Sequence, residues 1–190
     1  MTNKRKPSNV ITKIRTGTGD GGTTYFRGET KFPKADPHIE YLGALDSIQA
    51  LLIFDPKSEY NRDILLAQNL IFALGANFNS PGNEKYQDRI QFLGKIVETR
   101  IPEITSGLDP LKGFIRTTTT NKDFRQAGVA VRQAELMINR IILDYDEDAK
   151  LCSFHRVALN ILSDFLFALA WSSTIDEEGY SVPEDLQWTG

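Results

Sequence analysis

The chain has 190 residues, which fits the ~100–200 of one domain. Its 41% hydrophobic and 25% charged residues are ordinary globular usage and exclude a disordered chain. A formal charge of −3 excludes a chain-wide basic field for nucleic acid, and a single cysteine, Cys152, excludes an internal disulfide and is compatible with a reducing compartment.

Residues 1–15 hold Lys4, Arg5, Lys6, Lys13 and Arg15 with no acid. No apolar run follows them, so they do not read as a secretory signal. They read as a disordered basic leader over 1–11, with a mitochondrial presequence as the alternative. No uninterrupted apolar stretch reaches the ~18–20 residues of a membrane helix. A cytoplasmic chain with no membrane partner is the expectation.

Thr16-Gly17-Thr18-Gly19-Asp20-Gly21-Gly22-Thr23-Thr24 has no helical face. Composition leaves two readings open. One is a flexible leader. The other is a phosphate cradle, in which glycines let the backbone approach an anion and threonine hydroxyls add donors. It is not a P-loop, because no Gly-Lys-Ser/Thr ending follows and no strand precedes.

From residue 38 the apolar spacing is helical. Asp36-Pro37 is a start signal for the first helix, which carries Ile39, Leu42, Leu45, Ile48 and Leu52. A second run, Ile64 to Leu74, is expected to stop at Gly75, before a loop at 79–83. A third, from Ile90 to Ile101, ends at Pro102 or soon after. A fourth runs from about Lys122 to Leu143. A fifth, from about Leu151 to Ile175, is apolar around much of its girth and so buried against several neighbours. Five long helices with short joints predict an all-α bundle over 12–175. Residues 176–190 read as an acidic tail, with Trp188 as the residue that would dock back.

Polar residues inside the apolar helices are candidates for function. Arg132 and Glu135 lie three apart on the fourth helix, Asn160 and Asp164 four apart on the fifth, and Asp46 lies on the first. Buried charge is costly unless paired. One reading is therefore a buried network joining Arg132 to Asp46 or Asp164, with Glu135 and Asn160 satisfying the remainder. A compatible one has Arg132 neutralising a polyphosphate. His38 and His155 share no metal-ligand spacing with Cys152, so no protein-bound metal site is expected. His38 reads as a solvated first-turn residue, Cys152 as inert near a helix start, and Asp144, Asp146, Glu147 and Asp148 as a solvated acidic joint.

Several motifs occur in a familiar order. They are Thr18-Gly19-Asp20-Gly21-Gly22, Pro33-Lys34-Ala35-Asp36-Pro37, Gly43-Ala44-Leu45-Asp46, Phe114-Ile115, Arg132-Gln133-Ala134-Glu135 and Asn160-Ile161-Leu162-Ser163-Asp164. Over residues 12–172 the chain resembles the trimeric ATP:cob(I)alamin adenosyltransferases of the PduO type. The resemblance implies a five-helix bundle that forms a homotrimer, with sites between subunits. It implies transfer of the 5′-deoxyadenosyl group from ATP to cob(I)alamin, with Mg²⁺ beside the triphosphate and cobalamin as substrate. Thr16, Gly17, Thr18, Gly19, Asp20, Thr24 and Tyr25 would line the triphosphate, and Lys34 would reach it. Arg132, Gln133, Glu135 and Asn160 would form the helical half of the ATP site. Asp46 would pair with Arg132 across the subunit boundary, these two being the catalytic pair. Phe114 would press on the lower face of the corrin. A reductase and an adenosylcobalamin-dependent enzyme are the implied partners.

The chain departs from the family pattern at several of these positions. Gly17, Gly128, Gln133 and Ile161 stand where basic residues are usual, Ser47 replaces a glutamate, and Arg116-Thr117-Thr118-Thr119 replaces Leu-Pro-Gly-Gly. The alternative function is accordingly a catalytically impaired relative that binds adenosylcobalamin or a nucleotide as a chaperone or sensor.

Overall fold

The computed structural model describes residues 17, 19–28, 30–55, 57–111, 115–145 and 148–174. Seven elements follow in chain order. A hairpin of β1 (Thr23–Phe26) and β2 (Thr30–Pro33) precedes α1 (Pro37–Leu51), α2 (Asn61–Asn79), α3 (Glu84–Thr105), α4 (Lys122–Asp144) and α5 (Ala149–Ser172). The helical bundle is as expected; the hairpin was not foreseen. Its strands are antiparallel, with Thr23 opposite Pro33 and Phe26 opposite Thr30.

Local chemistry sets the helix starts. Asp36 caps α1, its Oδ1 accepting from the His38 amide at 2.9 Å, and Pro37 occupies the first turn, where a missing N–H costs nothing. Asn83 caps α3 in the same manner, through the Lys85 amide. The expected stop of α2 at Gly75 is wrong. The helix runs on to Asn79 because Asn77 and Phe78 are buried beyond it. A Cβ at Gly75 would make only ordinary contact with Leu45 Cδ1 of α1, at 3.8 Å, so the glycine neither ends the helix nor is demanded by its packing.

The helices pack in the cyclic order α1–α4–α5–α3–α2, and α2 closes back on α1. Gln49 of α1 donates to the Gln68 carbonyl of α2, and Gln68 returns a bond to the Leu52 carbonyl, each at 2.7 Å. The core runs along α5, where Leu159, Leu162, Phe165, Leu166 and Leu169 are sealed from solvent. This helix is long and apolar enough to cross a membrane by length and composition. Its neighbours α4, α3 and α2 account for that apolarity, so it is the central core helix.

Candidate functional site

Gly17 and Gly22 both adopt positive φ, which glycine takes without a steric penalty. Two tight turns follow, with Asp20 N–H donating to the Gly17 carbonyl and Gly22 N–H to the Gly19 carbonyl. The Lys34 amide then donates to the Gly22 carbonyl at 2.9 Å, where the hairpin opens. The lysine side chain lies across Gly19, so a Cβ at Gly19 would meet Lys34 Nζ at 3.1 Å. A glycine turn thus has a primary amine resting on it. Thr24 is half-buried on β1. Tyr25 is exposed beside it, with Lys31 Nζ 5.4 Å from its ring centre. Gly17, Gly19, Asp20 and Lys34 are therefore gathered at the open end of the hairpin, and Thr24 and Tyr25 follow along β1 toward its turn. Thr16, Thr18 and Phe114 lie outside the described residues.

The helical candidates sit elsewhere. Asp46 on α1, Arg132 and Gln133 on α4, and Asn160 and Asp164 on α5 are exposed, and Glu135 is half-buried. Among the described residues, none of these side chains makes a hydrogen bond or an ion pair. The buried network joining Arg132 to Asp46 or Asp164 is therefore not formed. The reason is rotational: Val131, Ala134 and Ile138 take the inward side of α4 and leave Arg132 outward. Gly128 faces inward instead, its missing Cβ 4.0 Å from Leu166 Cβ of α5.

Sequence reasoning missed a polar clamp beside the hairpin. His38 is not solvated but 3% exposed. Its Nδ1 lies 2.7 Å from Asp36 Oδ1 and its Nε2 3.0 Å from Asp148 Oδ2. Asp148, expected to be solvated, is buried and also receives Arg27. Arg27 Nη1 donates to both carboxylate oxygens at 2.8 and 3.0 Å, while Arg27 Nε donates to the Phe78 carbonyl at 3.0 Å. The guanidinium lies 4.7 Å from the Phe26 ring centre and 5.1 Å from that of Phe78. Asp146 and Glu147 of the same joint lie outside the described residues. Arg27 precedes a glycine in a turn, which gave no signal of a partner 121 positions away.

The fold and the glycine turn lead to comparison with known proteins. The family model for cobalamin adenosyltransferase matches residues 14–173, so this chain belongs to the cobalamin adenosyltransferase family. A corrinoid adenosyltransferase of Citrobacter freundii is 28% identical over 170 residues, spanning 83% of this chain and 93% of that one. A PduO-type ATP:corrinoid adenosyltransferase from Lactobacillus reuteri, solved as a phenylalanine-to-alanine variant with cobalamin and ATP, has a TM-score of 0.69 at 21% identity, over 84% of this chain and 92% of that one. An arginine-to-lysine variant from the same organism, complexed with ATP, has a TM-score of 0.67 at 21% identity, over 83% and 92% of the two chains.

Proposed function

We propose that this chain transfers the 5′-deoxyadenosyl group of ATP to cob(I)alamin, yielding adenosylcobalamin and triphosphate. Membership of the family across residues 14–173 supports the activity. The structural observation that carries the site is the Lys34 amine laid over the Gly19 turn. Backbone amides of a glycine turn and a cation at its rim suit a triphosphate.

The cobalt(I) lone pair attacks the 5′ carbon of ATP. The cobalt–carbon bond forms as the carbon–oxygen bond breaks, and that electron pair leaves on the triphosphate. No protein base takes a proton. The chain's task is to orient ATP and to neutralise charge growing on the leaving group. Lys34 does so from the loop. Arg132 does so from α4, with Gln133, Glu135 and Asn160 beside it. Thr16, Thr18, Thr24 and Tyr25 complete the loop side. Phe114 presses on the lower face of the corrin and keeps the lower ligand off cobalt.

Mg²⁺ fits this site as a companion of the nucleotide. Among the described residues no cluster of three His, Cys, Asp or Glu could cage a metal. A magnesium ion held by triphosphate oxygens needs few protein ligands, and it would shield the leaving charge while Asp20 orients the loop beside it. Because the helical candidates face outward, a second copy completes the site: the loop of one subunit of a homotrimer covers α4 and α5 of the next, and Asp46 pairs with Arg132 across that boundary. A cytoplasmic reductase would supply cob(I)alamin, and an adenosylcobalamin-dependent enzyme would take the product.

The test is spectroscopic. Chemically reduced cobalamin with MgATP should give the spectrum of a cobalt–carbon product. No product, together with tight binding of adenosylcobalamin, would replace this reading with the chaperone or sensor. Arg132→Ala should slow turnover by about 100-fold, the value of a charge-assisted contact at a leaving group. Unchanged turnover would remove Arg132 from the site.

A further inference from the structure

The proposed triphosphate loop hangs on an element that cannot hold itself. A two-stranded hairpin is marginal at best in water, and here each strand has four residues. Phe26 and Phe32 give it an apolar seat, with ring centres 5.2 Å apart. Among the described residues of the two strands and their turn, Arg27 is the one whose side chain hydrogen-bonds to the helical bundle. It does so through three hydrogen bonds to two partners, the Phe78 carbonyl at the end of α2 and Asp148 at the start of α5.

Both ends of this contact forgo a local preference. Arg27 sits at φ 50°, a left-handed conformation that favours glycine or asparagine. Asp148 occupies the N-cap of α5, yet its carboxylate makes no cap hydrogen bond. It is turned toward Arg27 and His38 instead. Two local sacrifices that meet in one ion pair point to a role beyond turn formation.

We infer that Arg27 is a positioning residue for ATP: it bolts the hairpin turn to Asp148 and the Phe78 carbonyl, and so fixes the glycine turn and Lys34 at the hairpin's other end. This rests on the reading of the loop as a triphosphate site. The hairpin is the lever. Its strands enter from Gly22 and leave into Lys34, and those two residues are themselves hydrogen-bonded. Freeing the turn lets the pair swing as a unit, so ATP must order it on binding.

Arg27→Gly in the full chain separates the two roles of the residue. Glycine suits the positive φ better than arginine, so the turn is kept while the bolt is lost. MgATP affinity by titration calorimetry should fall about tenfold, the size of one charge-assisted contact, while adenosylcobalamin affinity stays within about twofold of wild type. Amide hydrogen exchange in residues 19–26 of the free protein should quicken. Arg27→Lys, which can still reach Asp148, should recover most of the ATP affinity. Adding Asp148→Asn to Arg27→Gly should cost ATP affinity little more, since the Arg27–Asp148 pair is already broken and an amide oxygen can still face His38. Wild type that turns over with ATP affinity indifferent to Arg27→Gly overturns this inference alone. Wild type that binds MgATP with the Arg27 dependence but makes no adenosylcobalamin overturns the proposed activity and leaves the inference standing. Wild type that does not bind MgATP overturns both.

Discussion

His155 uses both ring nitrogens inside the core. Its Nε2 lies 2.8 Å from Asn77 Oδ1 and its Nδ1 3.0 Å from the Tyr41 hydroxyl. Asn77 Oδ1 only accepts, so Nε2 carries the proton and Nδ1 accepts from Tyr41. The neutral imidazole thus satisfies both partners. Burial pushes its pKa down to about 3, helped by the positive charge of Arg27. The unfolded imidazole takes its proton near 6.5. Between those values the unfolded chain binds the extra proton. Stability from this group is complete above about pH 6.5 and is lost as pH falls toward 3, at up to ~1.4 kcal/mol per pH unit. Urea midpoints taken from about pH 7 to about pH 4 should therefore fall more steeply for wild type than for His155→Gln; equal slopes would mean that the folded state admits the proton. Cys152 is the mirror case. Burial, with the Asp148 charge second, pushes its thiol up to about 12. Its sulfur is sealed from solvent and protonated, so the folded protein should resist Ellman's reagent and react only when urea opens it. Fast reaction of the folded chain would place the start of α5 in solvent.

At the scale of elements, the helices were legible because each one writes its buried face as a repeat of three and four. Val131, Ala134, Ile138 and Ile141 of α4 are all buried, at that spacing. The two failures have physical causes. Gly75 looked like a helix end, but the burial of Asn77 and Phe78 carries α2 past it to Asn79, a tertiary demand that no local pattern records. The hairpin escaped because four-residue strands leave almost no alternation to read. Phe26 and Phe32 are its inward residues, and every other strand position except the half-buried Thr23 and Thr24 is exposed. His38 and Asp148 were read as solvated, since pairing over 110 positions between them, and over 121 between Arg27 and Asp148, leaves no mark on either neighbourhood. Composition left the glycine loop open between a flexible leader and a phosphate cradle, and the structure shows its turns with positive φ at Gly17 and Gly22. Gly19→Ala tests the cradle directly. Its Cβ would press on Lys34 Nζ at 3.1 Å and Cε at 3.2 Å, so the flexible amine must move. With φ outside the left-handed region and only a side-chain tip displaced, thermal stability should hold. MgATP affinity should fall about three- to tenfold in calorimetry. A lowered melting temperature with intact ATP affinity would instead make Gly19 a structural glycine.

At the scale of the whole molecule, one surface is asked to do two things. Val129, Leu136 and Leu143 stand at seven-residue steps on the outward side of α4, and Leu136 is 65% exposed. Arg132 and Gln133 lie between them, and Val157 and Asn160 are exposed on the adjoining α5. Apolar residues beside unpaired polar ones mark a face that meets something. In the proposed trimer the same face receives a neighbour's body and its phosphate loop. A site divided this way makes a prediction that a site within one chain cannot. Lys34→Ala damages the loop half and leaves α4 intact; Arg132→Ala does the reverse. Each variant alone should be nearly inactive. Co-expressed in equal amounts, they assemble at random. A boundary that joins an intact loop to an intact α4 arises in about one case in four, from two independent choices of subunit around a closed ring. The mixture should therefore recover about a quarter of wild-type turnover, measured as adenosylcobalamin formed per active-site equivalent. A site confined to one chain would leave every subunit damaged, and the mixture would be no better than its parents. Light scattering on the same samples decides whether a trimer was present to be tested, and a monomer in solution would reject the divided site at once.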